Sequence, residues 1–381
     1  MAQVSALRIA LAGALALAVA MGIGRFAFTP ILPMMQDDAG LSIVAGGWLA
    51  SSNYLGYLLG ALAATVWPLR GNVALIGSLL GIAVVTFAMG LTSAFPLWVV
   101  LRFAAGVASA LAFIAVSTRG MAALAARNRP QLNGVMYAGV GSGIAGTGLL
   151  CLWLMHQNAG SAWAWMAAGL VALCAVLLVL PVLRAIVMPV VPAAAAGQRG
   201  SVGGGAGLLV LCYGVAGFGY IIPATFLPVM AKAVVADAAL FGWSWPVFGV
   251  AALTSTLIAA ARAAAIGQRL WILSHWLMAC GVVLPVLWPG LAAVIVSALL
   301  VGGTFVVITM TGMQVAQAVS GGHAARLVAA MTAAFALGQI LGPIVAGLLF
   351  DAGYGFASGL LLAGGLLAAS AIALQAGTER E

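Results

Sequence analysis

Apolar residues run along this chain in blocks of about twenty or more, the length a helix needs to cross a hydrocarbon core roughly 30 Å thick. The blocks lie at about 6–35, 42–67, 72–91, 94–118, 131–155, 161–184, 206–231, 238–261, 268–288, 290–313, 325–350 and 354–375. Polar and apolar residues do not alternate within them, as they would in the strands of a membrane barrel. Backbone groups surrounded by lipid must then be satisfied inside helices. The pattern predicts an all-α integral membrane protein of twelve transmembrane helices. Turn-forming or charged residues mark most of the breaks: Gln36 to Gly40, Arg70-Gly71-Asn72, Arg127 to Pro130, Lys232 to Asp237, Ser320 to His323 and Asp351 to Gly353. The breaks near Thr92 and Pro289 are short and apolar and rest on length alone.

Composition agrees, since 65% of residues are apolar and 5% charged, too few charges to clothe a water-soluble surface. The net charge of +8 would point to nucleic acid in a soluble protein. Here it resolves into loop positions. Of 14 Lys and Arg, eleven fall on one side of the predicted layer: Arg8, Arg70, Arg119, Arg127, Arg129, Arg184, Arg199, Arg262, Arg269, Arg326 and Arg380. Lys232 alone falls on the other, and Arg25 and Arg102 lie within spans. The asymmetry orients both termini to the cytoplasm of a multi-pass, bacterial-type inner-membrane protein. The expected partners are the bilayer and a small-molecule solute, with a coupling proton open as a third; no nucleic acid is expected, and a monomer is.

The chain also repeats itself. An offset of 195 residues aligns Gly22-Ile23-Gly24-Arg25 with Gly217-Phe218-Gly219-Tyr220, and Leu32-Pro33-Met34-Met35 with Leu227-Pro228-Val229-Met230. The same offset pairs Gly47-Trp48 with Gly242-Trp243, Met136 with Met331 and Gly143 with Gly338. Six helices separate the copies, an even number, so the halves keep one orientation about an axis along the membrane normal. They are expected as bundles at 1–184 and 206–381, joined by a Pro-, Ala- and Gly-rich cytoplasmic linker at 185–205. The repeat also argues that residues 1–20, which imitate a signal peptide, are kept as the first helix.

Few residues offer chemistry. Cys151, Cys174, Cys212 and Cys280 lie in spans without close pairing and read as small apolar packing residues. His156, His275 and His323 lack metal-ligand spacing, and no Ser-His-acid set falls in the interior, so neither metal, cofactor nor enzymatic activity is expected. All six acids, Asp37, Asp38, Asp237, Asp351, Glu379 and Glu381, sit at ends or loops, which removes a buried carboxylate as proton carrier. Trp67, Trp98, Trp153, Trp163 and Trp165 flank spans and are expected as interfacial anchors.

The residues Gly24-Arg25-Phe26-Ala27-Phe28-Thr29-Pro30, Leu32-Pro33 and Ser52-Asn53-Tyr54-Leu55-Gly56-Tyr57-Leu58-Leu59-Gly60 resemble the YbfB/YjiJ-type branch of the major facilitator superfamily, and the resemblance covers the whole chain. It implies two parallel six-helix repeats around a central solute path. Arg102, Gly106 and Ala110 match the family's Arg-x-x-x-Gly-x-x-x-Ala pattern, whose arginine is implicated in proton coupling in some members. The antiporter-type glycine pattern is partly met by Gly139, Gly143 and Gly148, and more closely by Gly338, Gly342, Pro343 and Gly347; these two align better at an offset of 199. Ala64 stands where a gating Asp is usual.

An arginine inside a span is costly unless it reaches water, a partner or an interface. Arg25, Arg102 and Asn53 fall at comparable depth and are candidates to hold an anionic or strongly dipolar solute, with Tyr57, Tyr220, Trp243 and Gln339 shaping the pocket. In the other reading, Arg102 binds helix-end carbonyls while Arg25 snorkels or bonds to Asn53. Gly56, Gly60, Gly106, Gly139, Gly143, Gly338, Gly342 and Pro343 are candidates for close packing and gating. The functional expectation is a secondary transporter of a small organic anion working by alternating access; efflux of amphipathic drug-like compounds and a non-transporting membrane sensor are the alternatives. Arg25 corresponds in the repeat to Tyr220 and Arg102 to Ser297, so the site is expected to be asymmetric.

Overall fold

A computed structural model of the chain describes residues 4–66, 71–185, 206–262, 267–320 and 324–378. Nearly all of the expected linker lies outside the described residues, as do Trp67, Arg70, Arg199, His323, Glu379, Arg380, Glu381 and the side chain of Arg326. Helices make up the described chain, and no strand occurs among the described residues. They are α1 (Ala6–Leu17), α2 (Phe28–Ala39), α3 (Ile43–Val66), α4 (Gly71–Met89), α5 (Phe95–Ala125), α6 (Asn133–His156) and α7 (Ser161–Ala185). The second half holds α8 (Ala206–Val234), α9 (Ala238–Phe241), α10 (Ser244–Ala261), α11 (Gln268–Leu287), α12 (Leu291–Ser320), α13 (Ala324–Leu349) and α14 (Gly355–Thr378). Among the described residues nine stretches are long and apolar enough to cross a membrane, one of which, Leu327–Ala376, runs through both α13 and α14. Helices α5 and α12 outrun their expected ends at 118 and 313, because Ala-rich sequence keeps a helix going after the apolar block has closed.

The first expected span is broken and its repeat is not. After α1 the chain passes through a π-helical turn, Ala18–Ile23, and four turn residues before α2 begins. Pro30 supplies no N–H and crowds the carbonyl four residues earlier, and it stands in the first turn of α2, where neither is costly. Position 225, its counterpart at offset 195, is Thr, and α8 runs unbroken despite Pro223 and Pro228. The N–H of Thr29 reaches back to Phe26 in place of Arg25, and no main-chain donor at the break reaches Gly24, which leaves the carbonyls of Gly24 and Arg25 for other donors. Those donors are the basis of the site below.

Between the halves, α3 packs on α13, α6 on α10, and α2 on α8. The first two interfaces are copies of each other, read from where a Cβ would fall on their glycines. Gly47 in α3 lies against the Pro343 carbonyl of α13, as Gly249 in α10 lies against the Ala145 backbone of α6. The helix pairs within each half repeat too: Gly139 faces the Ala14 carbonyl at 2.0 Å and Gly338 faces the Gly214 carbonyl at 2.3 Å, measured from a Cβ built on each glycine. Positions 139 and 338 are 199 apart, the larger of the two offsets; positions 47 and 249 are 202 apart.

Contacts between α2 and α8 run from the start of α2 to the ends of both helices. Thr29 Oγ1 donates to the Ala224 carbonyl at 2.7 Å, and Lys232 forms an ion pair with Asp37 while also donating to the Pro33 carbonyl at 3.3 Å. Nearby, Asp38 accepts from the Ser161 N–H at 2.5 Å and from its hydroxyl at 2.8 Å, so it caps the start of α7 from another helix. Asp38→Ala is expected to cost about 1 kcal/mol, seen as a lowered melting temperature in detergent with solute binding unchanged.

Candidate substrate site

Arg25, Asn53 and Arg102 are all buried, at 4%, 0% and 2% exposure, and they converge on the break in the first span. Gly106 makes this possible. A Cβ on it would fall 2.0 Å from the Asn53 carbonyl, so α5 and α3 touch backbone to backbone there. Arg102, one turn earlier on the same face of α5, is thereby carried to the break. Gly56 and Gly60 face the carbonyls of Phe103 and Val107 in the same way.

The two arginines are held differently. Arg102 donates from Nη1 to the Gly24 carbonyl at 3.4 Å and from Nη2 to the Arg25 carbonyl at 3.0 Å, the acceptors that the break releases. Asn53 Nδ2 joins it, donating to the carbonyls of Gly24 at 3.2 Å and Arg102 at 2.9 Å. The rings of Phe28 and Trp165 flank the Arg102 guanidinium at 5.1 and 5.8 Å. Its hydrogen bonds therefore go to main chain.

Arg25 instead reaches across to the other half. Its Nη2 donates to Gln339 Oε1 on α13 at 2.5 Å, and Gln339 Nε2 in turn donates to the Tyr220 hydroxyl on α8. Tyr57, Tyr54 and Phe26 surround the guanidinium, with ring centroids 4.3, 5.0 and 5.4 Å from its carbon. Arg25 Nε is buried without a partner among the described residues. Among the described residues no carboxylate compensates either arginine: Asp37 is held by Lys232, Asp38 by Ser161, Asp237 caps its own helix at Ala239 N, and Asp351 is exposed.

Of the residues expected to shape the pocket, Arg25, Tyr57, Tyr220 and Gln339 come together, and Asn53 and Arg102 stand behind them against the main chain. Trp243 does not join them; it sits 48% exposed at the N-cap of α10. The tryptophan inside is Trp245, fully buried and stacked on Phe248 at 4.8 Å, with Phe26 at 6.3 Å. From Trp245 a run of rings continues through Phe248 and Phe305 to Tyr220, and on to Phe335 and Tyr213. Residues 243–246, Trp-Ser-Trp-Pro, hold both indoles, and the sequence reading took the outer one of the pair. Trp98 and Trp165 likewise depart from the interfacial expectation. Both are buried, Trp98 donating Nε1 to the carbonyls of Met89 and Thr92, whereas Trp153 and Trp163 are 59% and 64% exposed. Cys174 and Cys280 are exposed, unlike the buried Cys151 and Cys212.

Residues 17–375 match the family described as "Uncharacterised MFS-type transporter YbfB". The chain belongs to the YbfB-type MFS transporters. Members of this family are membrane transporters, not enzymes. The chain is 36% identical over 91 residues to the "Uncharacterized MFS-type transporter YceJ" of Bacillus subtilis (strain 168), a stretch covering 23% of each protein. It is 32% identical over 178 residues to a "Chloramphenicol resistance protein" of Streptomyces lividans, covering 44% of each. The matched stretches thus span less than half the length of either relative. Among solved structures, the nucleoside transporter NupG superposes with a TM-score of 0.71 at 14% identity, covering 97% of this chain and 98% of that one. The human organic anion transporter MFSD10 gives 0.66 at 17% identity, covering 98% and 100%. These likenesses establish that the YbfB-type chain has the all-helical major facilitator fold.

Proposed function

We propose that this YbfB-type protein is a secondary transporter that carries a small organic anion by alternating access, rocking a bundle of residues 1–184 against one of 206–381 about the linker between them. Twelve crossings with both termini in the cytoplasm of an inner membrane complete the reading. The observation that carries it is Arg25. Its guanidinium is buried at the contact between the halves against the Gln339 amide oxygen and the Tyr57 side chain, with no carboxylate beside it among the described residues. A buried charge left so lightly compensated favours a ligand that brings a negative charge. Because Arg25 belongs to one half and Gln339 and Tyr220 to the other, an anion accepted there touches both bundles.

The distribution of contacts supports one state of the cycle. Phe28–Met35 and Gly219–Ala231 are buried throughout, while Leu7, Leu11 and Leu211, toward the opposite end of the same spans, are 54%, 52% and 64% exposed. We read this as closed where α2 and α8 end, the outer side by the charge asymmetry, and open toward the cytoplasm.

The wall of aromatic rings, together with the relative named as a chloramphenicol resistance protein, favours a second reading, export of amphipathic drug-like compounds. A thermal-shift screen of the purified protein against small organic anions, cations and neutral amphiphiles separates the two. Anions should stabilise and then cross proteoliposome membranes, with flux compared in the presence and absence of a pH gradient. Stabilisation by cations in preference to anions would sink the anion reading.

A further inference from the structure

Resting on the reading of Arg25 as the anion site, we propose that the solute is an aromatic monocarboxylate, with its ring lying one helical turn from the carboxylate, between Phe335 and Tyr57. Four observations point there. First, the positive charge available is one. Arg102 is committed to the carbonyls of Gly24 and Arg25, and Lys232 is paired with Asp37 at the end of α8. A dicarboxylate or a phosphoester would bring a second charge that no described cation beside Arg25 meets.

Second, Phe335 precedes Gln339 by four residues on α13, so the two share a face about 5–6 Å apart between Cβ atoms. A carboxylate at Arg25 and Gln339 puts whatever follows it by one or two bonds at the level of Phe335. Third, Phe335 and Tyr57 are each half-buried, unlike the closed layer around Phe28 and Phe226, and each adjoins the polar group. Tyr57 lies 4.3 Å from the Arg25 guanidinium, and Phe335 stacks on Tyr220 at 5.5 Å and 18°. A ring entering there would join an existing aromatic cluster: Tyr220 lies between Phe305 and Phe335 with both rings within 18° of parallel, and Tyr213 packs on Phe335 at 4.9 Å and 39°, which leaves an edge of Phe335 for the solute. Fourth, the buried donors Arg25 Nε and Trp245 Nε1 have no partner among the described residues, and the ring of Phe26 adjoins both side chains, so this neighbourhood has hydrogen-bond capacity to spare for an acceptor-bearing ligand.

The test uses matched pairs on the purified full-length protein: phenylacetate against cyclohexylacetate, and benzoate against cyclohexanecarboxylate, with acetate as the bare carboxylate. Binding is followed by calorimetry or by thermal shift as a function of concentration. The aromatic member of each pair is expected to bind about three- to tenfold tighter than its saturated partner. Phe335→Leu should bring that ratio close to one, Phe335→Tyr should keep it, and Phe350→Leu, at an aromatic pair outside the site, should leave it as in the wild type. Should Phe335→Leu fail to fold, the wild-type ratio decides the matter with Phe335→Tyr beside it. Equal binding of aromatic and saturated partners, with both lost in Arg25→Gln, would overturn the ring proposal and leave the anion reading standing. Absence of carboxylate binding, or binding that survives Arg25→Gln unchanged, would overturn both.

Discussion

Arg25→Gln is expected to lower anion affinity and kcat/KM for anion flux by about 10- to 100-fold, the equivalent of a charged hydrogen bond at about 1.5–3 kcal/mol. Glutamine removes the charge and ends near the position of Arg25 Nε, short of Gln339, so the attraction for an anion is lost together with the Nη2 bond. Burial strengthens the effect, because no solvent screens the charge and no described carboxylate compensates it. Arg25→Lys should recover only part of the loss: an ammonium is a point charge without the planar fork that donates to both oxygens of a carboxylate. Gln339→Glu supplies the complementary measurement. It places a carboxylate where the Arg25 Nη2 bond now ends, so the protein carries its own anion across the halves. Melting temperature should rise, added anion should stabilise less than in the wild type, and flux should fall. An Arg25→Gln protein that moves the anion at the wild-type kcat/KM would exclude Arg25 from the site.

The helices and the buried arginines were legible in the residues because both follow from the cost of polarity in lipid. Apolar blocks of spanning length can be little else, and Arg25 stands out against the apolar residues around it. The register of the repeat was not legible in the same way. The sequence alignment gave 195 for most blocks and 199 for the glycine patterns of α6 and α13 without deciding between them, and backbone contacts at glycine put α6 and α13 at 199 and α3 and α10 at 202. Those values exceed 195 by about one and two helical turns, and a shift by whole turns returns each residue to the same face. Hydrophobic and glycine periodicity therefore cannot separate them. Trp243 and Trp245 stand two residues apart at the start of α10, on different faces, and the burial that separates them is a property of the packed helices. The partner of Arg25 was hidden for another reason: Asn53 and Gln339 are both amides at suitable depth, and only the break at Pro30, which hands the Gly24 carbonyl to Asn53, leaves Gln339 to receive the guanidinium.

Arg102→Leu is expected to cost stability where Arg25→Gln costs binding. Leucine fills much of the volume but donates nothing, so the Arg25 carbonyl loses its Arg102 donor and the Gly24 carbonyl keeps Asn53 alone. The one buried acceptor left unpaired, the Arg25 carbonyl, predicts a loss of about 1–3 kcal/mol, poor recovery from the membrane and a melting temperature below the wild type. Arg102→Lys should fall between, since one ammonium on a shorter stem serves one of the two carbonyls in place of both. The binding defect of the leucine variant should be secondary. Whatever protein folds should still distinguish anions from cations, because the Arg25 side chain is intact, though its affinity will drop as the Arg25 backbone loosens. The resemblance to members in which this arginine takes part in proton coupling makes a different forecast. An Arg102→Leu protein that melts like the wild type and binds the anion, yet no longer responds to a pH gradient, would show that the carbonyl contacts are incidental and that Arg102 belongs to the coupling machinery.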